Sequence, residues 1–261
     1  MSWDFVNDVL VQTTVANETA LVLGLLFVSF MLLSLWRVGA GSVPDLRPIA
    51  AFAAMSNALE NAAEIALPLH ISAGAGTFGD AMTAQTLAGL AVVECLAQPA
   101  ATSGARLLVS TASPLLLPLV EGMQREAYAA AGYPHDYRPD QTRFISDNRI
   151  AYAFAIARLV SEERAVLSVL AGDFSDEYLL AAEPAAWAGI EQVAGTGNVL
   201  ALPFVAATAN HTLIGEELFV AGAYLSRKAN ATASLLAQDQ VRMLLVGMIL
   251  AGVVLETLAG V

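Results

Sequence analysis

The segment Gly74-Ala75-Gly76-Thr77-Phe78-Gly79 has the residue types and spacing of a G-x-G-x-x-G loop. In a dinucleotide-binding domain, glycines so placed let backbone N–H groups approach a pyrophosphate at a helix N-terminus. The loop follows a predicted strand and precedes a predicted helix, the context this chemistry requires. Two features weigh against a nucleotide. The next predicted strand ends in Ser110-Thr111-Ala112-Ser113, with no acidic residue to hold a ribose and no Arg for a 2′-phosphate. Asp80 stands where a pyrophosphate would meet the helix, and two anions there repel. A tight strand-to-helix turn is the favoured reading of these glycines; a nucleotide or phosphate site is the alternative.

Ligands of open parallel sheets sit beyond the carboxyl ends of the strands. That places the candidate ligand-binding set at Ser72, Gly74, Gly76, Gly79, Ser113, Asp173, Gly195, Thr196, Gly197 and Asn198. His70 falls between Leu69 and Ile71 in a strand pattern and reads first as a hydrogen-bonded core side chain. Glu60 and Glu64 are four apart, as are Asp173 and Glu177; such pairs do acid/base work only when one member is desolvated. His211 opens the run HTLIGEE, which is not H-E-x-x-H. Three scattered His and the single Cys95, read as a small core side chain, supply no metal set. There is no G-x-S-x-G elbow and no Walker loop. No catalytic residue, metal or cofactor is therefore assigned. An enzyme would need His70, Asp173 or Glu216 to converge, which sequence does not reveal.

The elements that would position these residues alternate short β runs with longer helical ones. Pro48 to about Glu64 reads as a helix, Ala66–Ser72 as a strand and Ala81–Gln98 as a helix. Arg106–Thr111 is a strand, Ser113 a cap and Pro114 the first position of a helix to about Ala131. Thr142–Ser146 is a strand, and Asp147 caps a helix over Asn148–Glu162. Ala165–Leu170 is the most apolar strand, and the Gly172–Ser175 turn leads into a helix ending near Trp187. Glu191–Ala194 is a weaker strand, and Val199–Leu225 one long helix. Strands separated by helices of this length pair in parallel and need both faces covered. The expected fold class is α/β: a Rossmann-like three-layer domain with a mainly parallel sheet of about five strands, flanked by two transmembrane helices. The irregular segment Gly132–Gln141 is expected to be a surface loop.

The two flanking segments, Thr19–Trp36 and Met243–Val261, contain no Lys or Arg and are about the ~20 residues that cross a ~30 Å hydrocarbon core. Basic residues gather at their inner ends, at Arg37, Arg47, Arg227, Lys228 and Arg242, and the positive-inside rule puts that side in the cytoplasm. No basic n-region precedes the first segment, so it does not read as a cleavable signal peptide. The expected organisation is an extracytoplasmic segment 1–18, a transmembrane helix 19–37, a cytoplasmic domain 38–242 and a second transmembrane helix 243–261 in the inner membrane. Gly247 and Ala251 form a small-xxx-small pair that would let another helix come close.

Removing Asp4, Asp8, Glu18, Glu256 and Arg37 leaves 20 acidic and 11 basic side chains for the central region. This negative balance excludes nucleic acid as a partner, since its binding needs basic stripes. Charge density is well below the roughly 25% of ordinary soluble domains. Surface covered by other copies of the chain would account for the shortage, as would a compositional bias toward alanine. The expected partners are the chain itself, the lipid bilayer and other membrane proteins. The favoured function is a non-enzymatic subunit of a homo-oligomeric assembly. The alternative is a ligand-binding or sensory module using the crevice near Gly74–Gly79.

Three stretches carry a resemblance: Leu67–Gly79, the strand ending before Ser113-Pro114, and Thr212–Ser226 (TLIGEELFVAGAYLS). Together they are similar to a family of prokaryotic membrane-anchored proteins described as a domain of unknown function. The resemblance implies one α/β domain on membrane helices and brings no activity with it.

Overall fold

The computed structural model describes residues 3–40, 46–79, 81–226 and 229–259. Asp80, linker residues 41–45, Arg227 and Lys228 lie outside them, so the inferences drawn from those residues stand on sequence alone. Residues 46–226 form one unit, and the terminal stretches 1–45 and 227–261 form another.

The first unit is an α/β fold. Its elements are α2 (Ala50–Ile65), β1 (Leu69–Gly74), α3 (Thr83–Ser103), β2 (Leu107–Thr111), α4 (Leu117–Ala130), β3 (Thr142–Phe144), α5 (Arg149–Glu162), β4 (Leu167–Asp173), α6 (Tyr178–Trp187), β5 (Glu191–Thr196), α7 (Leu202–Thr208), β6 (His211–Ile214) and α8 (Ala221–Tyr224). All neighbouring strands pair in parallel, in the order β3-β2-β1-β4-β5-β6. This is the doubly wound order, with its reversal between β1 and β4.

Strand alternation sorts the core into two layers. Leu69 and Ile71 of β1 face one way with Val109, Val169 and Val193, packed with Met55 of α2, Val92 and Leu96 of α3 and Val120 of α4. Leu170 and Ala194 face the other way, packed with Tyr152 and Ile156 of α5 and Tyr178 and Ala182 of α6. Helices on both faces explain why β1, β2 and β4 are buried along their whole length. The closest approach is at Gly89 of α3, where a Cβ would run into the carbonyl oxygen of Ala171 and sit 3.0 Å from that of Ala73.

The sheet has six strands where about five were expected, and the extra one replaces part of a predicted helix. Val199–Leu225 is α7, then β6, a 3-10 segment Gly215–Val220, and α8. Asn210 explains the break. Its N–H donates to Gln192 O and its Oδ1 accepts from Gln192 N, clamping the chain to the edge of β5. Leu213 then enters the core, and Gly215 turns the chain at φ +61. Two caps also move. Asn148, not Asp147, caps α5, its Oδ1 accepting from Ala151 N at 3.0 Å. Ser113 serves a turn by accepting from Leu115 N, and α4 starts at Leu117 rather than Pro114.

The second unit contains α1 (Trp3–Gly39) and α9 (Ala229–Ala259), which pack on each other. Each has a stretch long and apolar enough to cross a membrane, 21–39 in α1 and 229–254 in α9, with most of its side-chain surface exposed. Both helices extend beyond the segments expected from sequence: α1 runs back through residues 3–18, and α9 begins 14 residues before Met243. The small residues buried on α9 are Ala233 and Ala237, four apart. Gly247 and Ala251 are exposed, and a Cβ on Gly247 would meet no atom within 4 Å.

Candidate functional site

Polar side chains run across the middle of the sheet on the layer facing α5. His70 of β1 places Nδ1 3.1 Å from Ser168 Oγ on β4 and Nε2 3.0 Å from Ser110 Oγ on β2. A neutral imidazole has one donor and one acceptor, and a hydroxyl on each side complements either tautomer. Tyr152 of α5 extends the row: its Oη donates to Ser110 O at 2.9 Å and lies 2.7 Å from Ser72 Oγ. His70 and Tyr152 are fully buried. Burial, helped by the positive charge of Arg143, lowers His70 to about 3, and burial pushes Tyr152 up to about 12 against the hydrogen bonds from Ser110 and Ser72. Neither changes charge near neutral pH, so the row is a satisfied core network.

At the carboxyl end of the same strands, where the order reverses, a second cluster surrounds Arg149. Its position follows from the cap at Asn148, which makes Arg149 the first residue of α5. Arg149 Nη1 donates to Asp173 Oδ2 and Nε donates to Glu177 Oε1, both at 2.9 Å. The guanidinium is 38% exposed, the two carboxylates only 2%. Burial opposes the charge on Arg149, but its bonds to Asp173 and Glu177 raise its affinity for the proton overall. Asp173 reaches this point through a bulge: Ser72 pairs with Leu170 but Gly74 pairs with Asp173, so β4 carries one extra residue. Ser175 joins the cluster, 3.4 Å from Arg149 Nη2, and accepts from Asn198 Nδ2 at 3.0 Å. On the other side, Gln85 Oε1 of α3 lies 3.0 Å from both Thr196 Oγ1 and Gly197 N. The donors that would meet a ligand here are turned onto the protein's own acceptors.

A family profile for a domain of unknown function (DUF6754) matches residues 10–261, nearly the whole chain. The chain belongs to that family. Searches of curated proteins and of solved structures find no match. Membership in the DUF6754 family covers both apolar helices and the sheet, and carries no reaction or ligand.

Some of the residues singled out in sequence join the two clusters and others do not. Asp173, Thr196, Gly197 and Asn198 come together around Gln85, Ser175 and Arg149. Ser72 is buried beneath them in the histidine row, accepting from Gly74 N. Ser113 lies apart, sharing a hydrogen bond with Thr77 at 3.2 Å. The glycines have structural reasons. Gly74, at φ +86, passes so close to β4 that a Cβ would lie 2.5 Å from Asp173 N. A Cβ on Gly76 would collide with Thr86 Oγ1, and one on Gly195 would meet Leu213 at 2.7 Å. Gly79, at φ +94, turns in open space and donates to Thr83 Oγ1. His70 and Asp173 do not converge: the histidine is bonded to Ser168 and Ser110, the aspartate to Arg149. Arg149, Gln85 and Tyr152 escaped the sequence reading. Their only signals were a cation next to a helix cap and polar groups breaking apolar helix faces.

Proposed function

We propose that the chain is a membrane-anchored, non-enzymatic subunit of a homo-oligomeric assembly, held by α1 and α9 and self-associating through its α/β unit. One observation carries this reading: large apolar side chains from separate loops and from the start of α5 stand exposed beyond the carboxyl ends of the strands. Val199 and Leu200 after β5 are 73% and 79% exposed; Leu115 after β2 and Ile150 after β3 are both 57% exposed. Phe144 and Ile214, at the ends of β3 and β6, extend the edge. Single exposed apolar residues are ordinary, but several large ones beyond the same end of a sheet support an interaction surface there. The self-bonded strand-end cluster supports a structural rather than catalytic role for that edge. The two apolar helices support the anchor. The basic flanks Arg37, Arg47, Arg227, Lys228 and Arg242 support a cytoplasmic α/β unit in the inner membrane of a prokaryotic cell.

The test is sedimentation of the full chain in mild detergent beside the double variant Val199→Glu, Leu200→Glu. The native chain sediments as a multimer and the variant as a smaller species with an unchanged melting temperature. A native chain that is monomeric at micromolar concentration overturns the proposal.

A second reading, a ligand module at the strand-end crevice near Gly74–Gly79, draws on the strand reversal between β1 and β4, where ligands of this topology sit. It predicts that some nucleotide or metabolite raises the melting temperature, and that Asn198→Ala abolishes the rise.

A further inference from the structure

At the amino edge of the sheet, opposite the strand-end cluster, lies a cavity of about 430 Å³. It is walled by the last turn of α3, Arg106 just before β2, Tyr128 of α4 and the irregular loop 132–141. Its volume falls within the roughly 300–1,000 Å³ of small-molecule sites.

The walls are preformed and oppositely charged. Tyr133 N donates to Tyr128 O, Asp136 N donates to Tyr133 O, and the Tyr128 and Tyr137 rings pack 5.9 Å apart, which fixes the loop. Arg106 is spent on Glu163 Oε2 at 3.0 Å and Asp140 Oδ2 at 3.5 Å. Arg138 has no such partner among the described residues, so it supplies the cavity's available positive charge. The same cavity is lined by Asp136 and by the carboxyl end of the 21-residue helix α3, which carries partial negative charge. Tyr128 Oη accepts from Gln141 Nε2 at 3.2 Å, which leaves its own proton to donate. Tyr133, more than half exposed, offers a ring face.

A simple anion here would face Asp136 and the helix carbonyls, and a simple cation would face Arg138. A molecule carrying both charges meets both walls. We propose that the cavity binds a free α-amino acid. Its carboxylate lies on Arg138, its ammonium group faces the end of α3 and Asp136, and its side chain lies against the tyrosine rings.

The test is thermal melting of the full chain in mild detergent with each proteinogenic L-amino acid at millimolar concentration, beside its N-acetyl and carboxamide forms. One amino acid, or a chemically related few, raises the melting temperature while the blocked forms do not. Arg138→Gln and Asp136→Asn, both at exposed positions, each leave the unliganded melting temperature unchanged and weaken apparent affinity about tenfold or more. The proposal is overturned by no shift with any amino acid, by an equal shift with the blocked forms, or by undiminished affinity in Arg138→Gln.

Discussion

Burial holds His70 neutral down to about pH 3, whereas an unfolded chain protonates it near 6.5. Below that value the unfolded state binds a proton the folded state refuses, so this contribution to stability is complete above about pH 6.5 and is lost as pH falls toward about 3. The slope is about 1.4 kcal/mol per pH unit. Thermal melts between about pH 6.5 and pH 5, above the carboxylate range, should fall steeply for the native chain and much less for His70→Gln. A slope unchanged by the substitution would mean that His70 is solvated. Arg149 makes the complementary case. Replacing it by Met strands the carboxylates of Asp173 and Glu177, each 2% exposed, without their cation. Because the guanidinium is partly exposed, the expected loss is about 2 kcal/mol, below the full cost of breaking a buried pair. A loss within experimental error would show that water replaces the guanidinium.

Helix α3 lies so close to the sheet that glycine at position 89 is a packing requirement. Gly89→Ala would improve helix propensity, yet its methyl would meet the Ala171 carbonyl, which is fixed backbone. We expect net destabilisation of about 1–3 kcal/mol. Gly122→Ala in α4, where a Cβ meets nothing within 4 Å, should instead stabilise by up to about 1 kcal/mol. Equal effects of the two substitutions in thermal melts would contradict the packing. The layers of the fold were legible because helical and strand periodicities alternate with turn residues between them. The glycine loop was read as a tight turn because Asp80 and the missing ribose ligand argued against phosphate. The segment after Gly197 was not legible, because HTLI is short and lies within a sequence of helical composition. Only its pairing to β5, secured by Asn210 and Gln192, makes it a strand. Of the strand-end cluster, Arg149 and Gln85 escaped for a similar reason: they gain their meaning from partners 24 and 112 residues away.

Over the whole molecule, two helices are long and apolar enough to cross a membrane, and the proposed anchor would hold the residues between them on the cytoplasmic side. A cysteine at exposed position 102, in a Cys95→Ser background, should react with an impermeant maleimide only after cells are permeabilised. Labelling in intact cells would reverse the orientation. Val199, Leu200, Leu115 and Ile150 are exposed, and in the proposed assembly a second copy covers them. Both ideas meet in native mass spectrometry of the full chain released directly from membrane vesicles. A membrane-held assembly appears as multiples of the 27.2 kDa chain. Single chains, or no protein in the membrane fraction, would contradict it.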